Sequence, residues 1–228
     1  MVSASKTIEE HGFAIIPNAV SLEAISDLRA ELSNNSVRRG RAGVRHAMKL
    51  PGVAKIASER KLLEIAREIL GGQAVPFRAT LFDKSPDANW LVVWHQDTAL
   101  PLRKKKEMAG WGPWSVKEGV TYAHAPVEAL IRVVALRVHL DDSESANGPL
   151  RVLPGSHVLG VMTDEQIQAL ASKQSAVECV VAQGGVVVMR PLIVHASSKS
   201  QNDAPRRVLH IEYGASMEIA DGAELAIA

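Results

Sequence analysis

Apolar residues in the first third of the chain recur at helical spacing. One stripe follows Ser21, a residue type that favours the start of a helix. This stripe consists of Leu22, Ile25, Leu28 and Leu32. A second stripe runs through about residues 59–70, and Gly71-Gly72 predicts its end. A short apolar run over residues 12–17 ends at a proline and indicates a strand. The part up to about residue 75 is therefore expected to be mainly helical.

From about residue 76 the pattern changes to short β-prone segments separated by turn residues. The predicted strands are 77–84, 90–95, 131–140, 150–153, 177–182, 186–189, 193–196 and 208–213. Asn147-Gly148 is typical of a hairpin turn, and Thr163 with Gln166 predicts a capped helix. The pattern favours an antiparallel sandwich or barrel of the jelly-roll type, with its core over about residues 76–215 and helices at its side.

Residues 103–125 are predicted to form a long loop between strands. The segment begins with the basic run Arg103–Lys106 and contains Trp111 and Trp114. Long connections are usually functional or disordered, so we expect a lid whose two tryptophans cover a substrate. Two alternatives stay open, namely a cover packed on the outside of the barrel and a basic run that is simply solvated.

Composition narrows the class of protein. The chain has 228 residues, of which 46% are hydrophobic and 22% charged, as expected for one globular domain. The net charge of +1 gives no basic field for nucleic acid, and no apolar stretch is long enough to span a membrane. The single cysteine, Cys179, excludes an internal disulfide, and residues 1–6 lack the apolar segment of a secretory signal. These features predict a cytoplasmic protein.

Three histidines precede an acidic residue by two positions, a spacing that puts both side chains on one face of a strand. The pairs are His95/Asp97, His139/Asp141 and His210/Glu212. About one such pair is expected by chance, so each pair alone also fits a solvated or structural role. The first pair is favoured because it follows an apolar strand at the rim of the predicted sheet. His195, which closes another apolar strand, is the best third ligand, and a core histidine is its alternative.

Several short motifs follow one another in a recognisable order. They are Trp94-His95-Gln96-Asp97, Leu140-Asp141-Asp142, Asn147-Gly148-Pro149-Leu150, Leu153-Pro154-Gly155-Ser156-His157, Gly184-Gly185-Val186-Val187-Val188, Leu192-Ile193-Val194-His195-Ala196-Ser197 and Asn202-Asp203-Ala204-Pro205-Arg206-Arg207. The ordered set resembles the phytanoyl-CoA dioxygenase-like family of iron(II)/2-oxoglutarate-dependent oxygenases. This resemblance covers nearly the whole chain. It implies a mainly β fold with flanking helices, the double-stranded β-helix, a cupin-like jelly roll.

The resemblance also implies a set of site residues. His95, Asp97 and His195 are expected to be the metal ligands. Arg206, eleven positions after His195, is expected to hold the 2-oxoglutarate carboxylate, while the next residue faces the other side of the strand. Three further residues are expected near the cosubstrate, with Gln96 on either the cosubstrate or the substrate side. They are Ser197, Thr80 and Gln96.

The implied reaction uses Fe(II), 2-oxoglutarate and O2 to hydroxylate an unactivated C–H bond of a small organic molecule, with release of succinate and CO2. Arg137 departs from the resemblance, because the phytanoyl-CoA enzyme carries an aromatic residue there, and we assign it with Trp111 and Trp114 to the substrate side. Two other functions stay open. One is a cupin-like metal enzyme that does not use 2-oxoglutarate, and the other is a non-catalytic jelly-roll binding domain. The sequence indicates neither the substrate nor the oligomeric state.

Overall fold

The structure, a computed structural model, describes residues 4–34, 43–85 and 88–228. Its helices are α1 (Ala4–His11), α2 (Leu22–Asn34), α3 (Pro51–Ala57), α4 (Arg60–Leu70), α5 (Val127–Leu130) and α6 (Asp164–Ala171). Its strands are β1 (Phe13–Ile16), β2 (Gly43–Val44), β3 (Val75–Lys84), β4 (Val92–His95), β5 (Ala99–Leu102), β6 (Trp114–Lys117), β7 (Val120–His124), β8 (Val133–His139), β9 (Leu150–Val152), β10 (Val177–Cys179), β11 (Val186–Met189), β12 (His195–Ser197) and β13 (Arg206–Gly214).

Two antiparallel sheets face each other. The larger sheet has the order β1-β11-β8-β13-β3-β2, and the smaller has the order β10-β9-β12-β4. A layer of buried side chains joins them, including Ala135 and Val187 from the larger sheet and Leu150, Val152 and Cys179 from the smaller. Because these side chains are buried against one another, the two sheets form one packed sandwich. The fold is a double-stranded β-helix, mainly β with helices on one side, as the sequence predicts.

The alternation of side chains along the larger sheet separates an apolar face from a polar one. Leu136 of β8 and Leu209 of β13 pack on the outer face against the helices, where the Tyr213 hydroxyl donates a hydrogen bond to the Ala57 carbonyl at 2.9 Å. The intervening residues point inward, towards the smaller sheet. At one end these inward residues are polar, and they are Arg78, Thr80, Lys84, Arg137, His139, Arg206, His210 and Glu212. This polar end of the sandwich positions the candidate site.

The predicted helices form close to their expected positions. The Ala24 N–H donates to the Ser21 hydroxyl at 3.1 Å as α2 begins, although Leu22 is 62% exposed and does not join the buried stripe. α4 ends at Gly71, whose φ of 73° is the left-handed conformation that glycine adopts without strain. Thr163 and Gln166 form the capping box of α6. Across the residues that the structure describes, no helix has the length and apolar character that a membrane crossing needs.

The prediction of a hairpin at Asn147-Gly148 is wrong. β8 and β9 flank this turn but belong to different sheets, so the turn carries the chain from one layer to the other. Gly148 has a φ of 68°, and a Cβ atom there would lie 2.4 Å from the Ser198 carbonyl oxygen. The glycine is therefore required by a left-handed turn and a close backbone approach, which are the same local signals that a hairpin would give.

The prediction of a long loop over residues 103–125 is also wrong. β6 and β7 lie within this segment and pair with each other, and β7 also pairs with β5 to give a three-stranded antiparallel sheet. Its apolar residues pack against the C-terminal segment, where Leu102, Leu225 and Ile219 share one buried cluster. The sequence pattern did not predict these strands, because each has only four or five residues and glycines and prolines lie near them.

Candidate active site

Two histidines lie opposite each other on neighbouring strands. β4 and β12 pair with His95 opposite His195, and the ring centroids are 4.2 Å apart. Each ring places its Nδ1 beside the carbonyl oxygen two residues earlier, at 2.8 Å for Val93 and 2.9 Å for Ile193. These carbonyls accept a hydrogen bond only from the Nδ1–H tautomer, which leaves the Nε2 lone pair of both rings free to bind a metal.

Asp97 completes a cluster of three potential ligands. Its backbone N–H donates to the Pro191 carbonyl at 3.0 Å, which fixes the residue just beyond the end of β4. The carboxylate lies 3.8 Å from His95 Nε2 and 3.5 Å from His195 Nε2. One ligand atom from each of these residues lies within 4.8 Å of the others. Two imidazoles and one carboxylate on one side of an ion suit iron(II) and leave coordination positions open, so the donor set fits the metal that the resemblance implies.

The charges around this cluster favour the protonation states that bind a metal. Burial raises the pKa of Asp97, but His195, His95, His210 and Arg78 outweigh it and hold the pKa below its ordinary value. Burial lowers the pKa of His195 to about 4, against the opposing effect of Asp97. At neutral pH the carboxylate is thus ionised and the imidazole of His195 is neutral.

A cavity opens beside the three side chains. It is lined by Phe82, Trp90, Val92, His95, Asp97, Arg137, Leu150, His195, Ala196, Ser197 and Arg206. At the end away from Asp97, the Arg206 guanidinium donates to the Ser197 hydroxyl at 3.3 Å and to the Asn147 carbonyl at 3.2 Å. Lys84 donates to the same hydroxyl at 3.1 Å. This end of the cavity therefore presents two cations and a hydroxyl, a combination suited to a carboxylate.

Arg207 faces the opposite side of β13. Its Nε and one terminal nitrogen donate to the two oxygens of Asp141, both at 2.7 Å, and its backbone N–H donates to the same carboxylate at 2.9 Å. Arg206 is thus the arginine that reaches the cavity, while Arg207 is engaged elsewhere, in agreement with the alternation expected of a strand. Whether Arg206 binds 2-oxoglutarate stays a prediction.

The other two His-x-acid pairs do not form metal clusters in the part of the chain that the structure describes. Asp141 binds Arg207, and both ring nitrogens of His139 lack a hydrogen-bond partner among the described residues. Glu212 pairs with Arg78 at 3.0 Å, and burial raises the pKa of this glutamate to about 7. His210 lies against Arg137 inside the sandwich and does not belong to the ligand cluster found among the described residues.

Contact of Gln96 with the cosubstrate or the substrate stays a prediction, and in the structure its side chain has backbone partners. Its side-chain amide donates to the carbonyls of Leu192 at 2.7 Å and Gly160 at 2.9 Å, and it accepts from the Met162 N–H at 2.9 Å. The middle residue of a His-x-Asp motif faces away from its two neighbours, so Gln96 ties β4 to the chain behind it. It positions the metal-ligand strand and does not line the cavity.

The two tryptophans are not among the residues that line the cavity either, and their assignment to the substrate side stays a prediction. Trp111 is buried in the cluster beneath the three-stranded sheet, and its indole N–H points at Asp221, 3.4 Å away. Trp114 packs against the same cluster from β6. Both side chains hold the sheet to the C-terminal segment. Thr80 lies on the inward face of β3 opposite His210, but it is not among the residues that line the cavity.

Phe82 and Trp90 line the cavity, and Lys84 adjoins it through the Ser197 hydroxyl, but none of the three was singled out from the sequence. Lys84 is 1% exposed, and its Nζ lies 5.4 Å from the centre of the Trp90 ring. The sequence does carry a signal for the polar face that these residues belong to. Charged or imidazole groups at every second position of a strand, such as Arg137 and His139, mark an inward face that is too polar to be a simple core.

Comparison with known proteins agrees with this geometry. A family model described as phytanoyl-CoA dioxygenase (PhyH) matches residues 8–208. The chain is 25% identical over 165 residues to an ectoine dioxygenase from Stutzerimonas stutzeri, a match that covers 65% of this chain and 48% of that enzyme. The chain thus spans about half the length of this curated relative.

Solved structures share the fold. One is EctD from S. alaskensis with 2-oxoglutarate and 5-hydroxyectoine, with a TM-score of 0.70 and 18% identity over 93% of this chain and 76% of that one. Another is the non-heme α-ketoglutarate-dependent carbocyclase SnoK from nogalamycin biosynthesis, with a TM-score of 0.72 and 16% identity over 100% and 87% of the two chains. Because the family model spans most of the sequence, the chain belongs to the phytanoyl-CoA dioxygenase family of oxygenases, which use iron(II), 2-oxoglutarate and O2.

Proposed function

We propose that this chain hydroxylates a C–H bond of a small organic molecule while 2-oxoglutarate is converted to succinate and CO2. One oxygen atom of O2 enters the substrate and the other enters succinate. When bound, the iron supplies the centre at which O2 is activated. The observation that carries the proposal is the convergence of His95, Asp97 and His195, whose ligand atoms lie within 4.8 Å of one another beside a cavity that also holds Arg206.

In this proposal His95, Asp97 and His195 hold the metal from one side. The carbonyls of Val93 and Ile193 keep both imidazoles in the tautomer that offers Nε2, so the rings need no rearrangement when the metal arrives. The β4–β12 pairing sets the separation of the two rings. Coordination positions on the open side are then available to the cosubstrate and O2.

Arg206 and Ser197 are proposed to bind the carboxylate of 2-oxoglutarate that lies away from the metal. The guanidinium is buried and already oriented by the Asn147 carbonyl, so little side-chain freedom is lost on binding. Lys84 adds a second positive charge at the same hydroxyl. The apolar lining from Phe82 and Leu150 helps to exclude water from the reacting groups.

The substitutions His195→Ala and Asp97→Ala test the metal site. Each is expected to weaken iron(II) binding by more than the roughly 10–100-fold that loss of an outer-shell partner costs, and to abolish succinate formation. His157→Ala is the matched control, because this ring lies outside the cavity and contacts the Glu9 carbonyl. Iron binding is measured by titration without oxygen, and succinate by mass spectrometry.

Three outcomes would redirect the proposal. Normal iron affinity in His95→Ala with lost affinity in His139→Ala would show that the metal binds a different His-x-acid pair. Turnover that is independent of 2-oxoglutarate would favour a cupin-like enzyme of another class, and a protein that binds no iron would favour a binding domain. Since SnoK is a carbocyclase, product analysis with isotopically labelled O2 is needed to distinguish hydroxylation from another oxidation.

A further inference from the structure

One buried cation in the cavity has no task in the proposed reaction. The Arg137 side chain is 7% exposed and lines the cavity together with the metal-ligand cluster and Arg206. Its guanidinium carbon lies 5.2 Å from the centre of the Phe82 ring, and one terminal nitrogen donates to His210 Nδ1 at 3.1 Å. Its Nε has no hydrogen-bond partner among the residues of the three described segments.

The position of Arg137 is costly unless an anion joins it. Its interaction with His210 is with a neutral ring, because burial and the charge of Arg137 hold the pKa of that histidine well below its ordinary value. Within the described segments, Asp97 is the carboxylate whose charge acts on Arg137. A buried guanidinium without its own counter-ion is expensive to maintain, which points to a ligand that supplies one.

The charges of iron and cosubstrate do not supply this counter-ion. Iron(II) and 2-oxoglutarate carry opposite charges of equal size, so together they leave the net charge of the cavity unchanged. Arg137 and Arg206 in the lining, with Lys84 behind them on the Ser197 hydroxyl, then remain against the single charge of Asp97. The cavity is therefore positive both before and after these two ligands bind.

The carboxylates of 2-oxoglutarate are also accounted for. In the proposed function one of them binds the metal through the keto-acid end, and the other meets Arg206, Ser197 and Lys84. Arg137 is left over, beside His139, whose two ring nitrogens likewise lack partners in the described part of the chain. These unsatisfied groups lie next to each other on the inward face of β8.

We propose that Arg137 is a specificity-determining residue that binds a carboxylate on the substrate. The inference rests on the proposed function and deepens it, because it assigns the substrate to the class of organic acids. A guanidinium binds a carboxylate through two parallel hydrogen bonds and so orients the molecule as well as attracting it. A neutral analogue would leave the cation buried and unpaired, and it is therefore rejected.

Acetate and acetamide, a matched charged and neutral pair, test this inference at constant ionic strength. The protein is loaded with iron(II) and 2-oxoglutarate without oxygen, and the visible charge-transfer absorption of the complex is followed. Acetate is expected to change the spectrum saturably, and acetamide is not. Arg137→Leu is expected to weaken acetate binding at least tenfold, Arg137→Lys to restore part of it, and neither to change the affinity for 2-oxoglutarate more than threefold.

Arg190→Leu is the control, because Arg190 is an arginine outside the cavity whose guanidinium binds the carbonyls of Ile131 and Ile69. Removing the unpaired charge of Arg137 is expected to leave the melting temperature equal or higher, so loss of folding does not explain lost binding. Equal acetate affinity in the wild type and Arg137→Leu, or no acetate response in the wild type, would overturn the inference.

A tenfold loss of 2-oxoglutarate affinity in Arg137→Leu without acetate would assign Arg137 to the cosubstrate and also overturn it. A wild type that forms no charge-transfer complex contradicts the proposed function instead. The acetate titration is then read from the melting temperature of the metal-free protein, where a rise that depends on Arg137 supports the anion site and equal curves in both proteins reject it.

Discussion

Arg206 and Arg207 are consecutive in the chain but serve opposite faces of β13. Arg206 reaches the cavity, where Ser197 and Asn147 hold it, and Arg207 binds Asp141 outside the sandwich. The same residue type therefore has two different environments that are one position apart. Substitutions at the two positions should separate cosubstrate binding from stability.

We expect Arg206→Ala to raise the apparent KM for 2-oxoglutarate at least tenfold, since truncating one partner of a buried charge pair costs roughly 2–5 kcal/mol. Arg207→Ala should leave that KM within about threefold. It should instead lower the free energy of unfolding by about 1–3 kcal/mol, because Asp141 loses its bidentate partner. Succinate kinetics and denaturant unfolding measure the two effects. Equal KM changes, or the reverse order, would contradict the assignment.

Lys84 links the stability of the protein to pH. Burial, together with Arg206 and Arg137, lowers the pKa of Lys84 from 10.5 to about 8 in the folded chain. Between these values the unfolded chain binds more protons than the folded one, so the free energy of unfolding rises with pH from about 8 to 10. The full effect is up to about 3 kcal/mol.

Replacing this lysine with an apolar residue should remove its contribution to the pH-dependent rise in the free energy of unfolding. In metal-free Lys84→Met the free energy of unfolding is expected to climb less steeply over pH 8–10 than in the wild type, as denaturant titrations at each pH would measure. Lys173→Met alters an exposed lysine and should keep the wild-type slope. Parallel curves for the wild type and Lys84→Met would contradict the buried-cation interpretation.

At the scale of elements, the metal-ligand strand β4 leads within four residues into β5 and the three-stranded sheet. β7 is the central strand of this sheet and pairs with a neighbour on each side. β6 lies at the edge, where Val116 is 70% exposed. Residues 114–117 and 120–124 of the segment expected to be a lid are thus held in a hydrogen-bonded sheet.

Hydrogen exchange should distinguish the two strands in the ligand-free protein. The amides of Val120–His124 are expected to exchange slowly, because β7 is hydrogen-bonded to a strand on each side. Those of Trp114–Lys117, in the edge strand, are expected to exchange faster. Mass spectrometry of deuterated peptides measures both. Fast exchange in β7 that becomes slow only after iron, 2-oxoglutarate and substrate are added would restore the lid hypothesis.

Local signals made the helices and the extent of most strands predictable. Thr163, which begins α6, and Gly71, which ends α4, act through neighbours in the sequence, so their effect could be inferred without the fold. Strand partners depend on distant residues, and for this reason Asn147-Gly148 gave the wrong connection. The site residues show the same difference between what neighbouring residues determine and what the fold determines. Spacing identified His95 and Asp97, whereas strand alternation, which turns Gln96 away from its two neighbours, was not applied to that residue.

At the scale of the whole molecule, a nearly neutral chain concentrates cations inside one cavity. The net charge is +1, yet Lys84, Arg137 and Arg206 all lie at the polar end of the sandwich. Overall charge therefore says little about the ligand, although it remains the basis for predicting no nucleic-acid partner. The single domain, its division near residue 75 and the cytoplasmic location also stay predictions.

Ligands that bind this cavity only in the folded protein should stabilise the entire fold. Manganese(II), as an unreactive substitute for iron, together with 2-oxoglutarate at a hundredfold excess over Kd, should add about 2.7 kcal/mol. For a chain of this size that corresponds to a rise in melting temperature of roughly 5–10 °C. Arg206→Ala should show a much smaller rise, and an unchanged wild-type melting temperature would contradict ligand binding in this cavity.

The burial of Cys179 between the two sheets bears on how the enzyme withstands its own chemistry. Ferrous iron in air generates oxidants by auto-oxidation, and exposed thiolates are their usual targets. Cys179 is the only cysteine, and burial raises its pKa to about 12, so it carries almost no thiolate. Thiol reductants that keep iron ferrous are therefore expected not to form mixed disulfides with this chain.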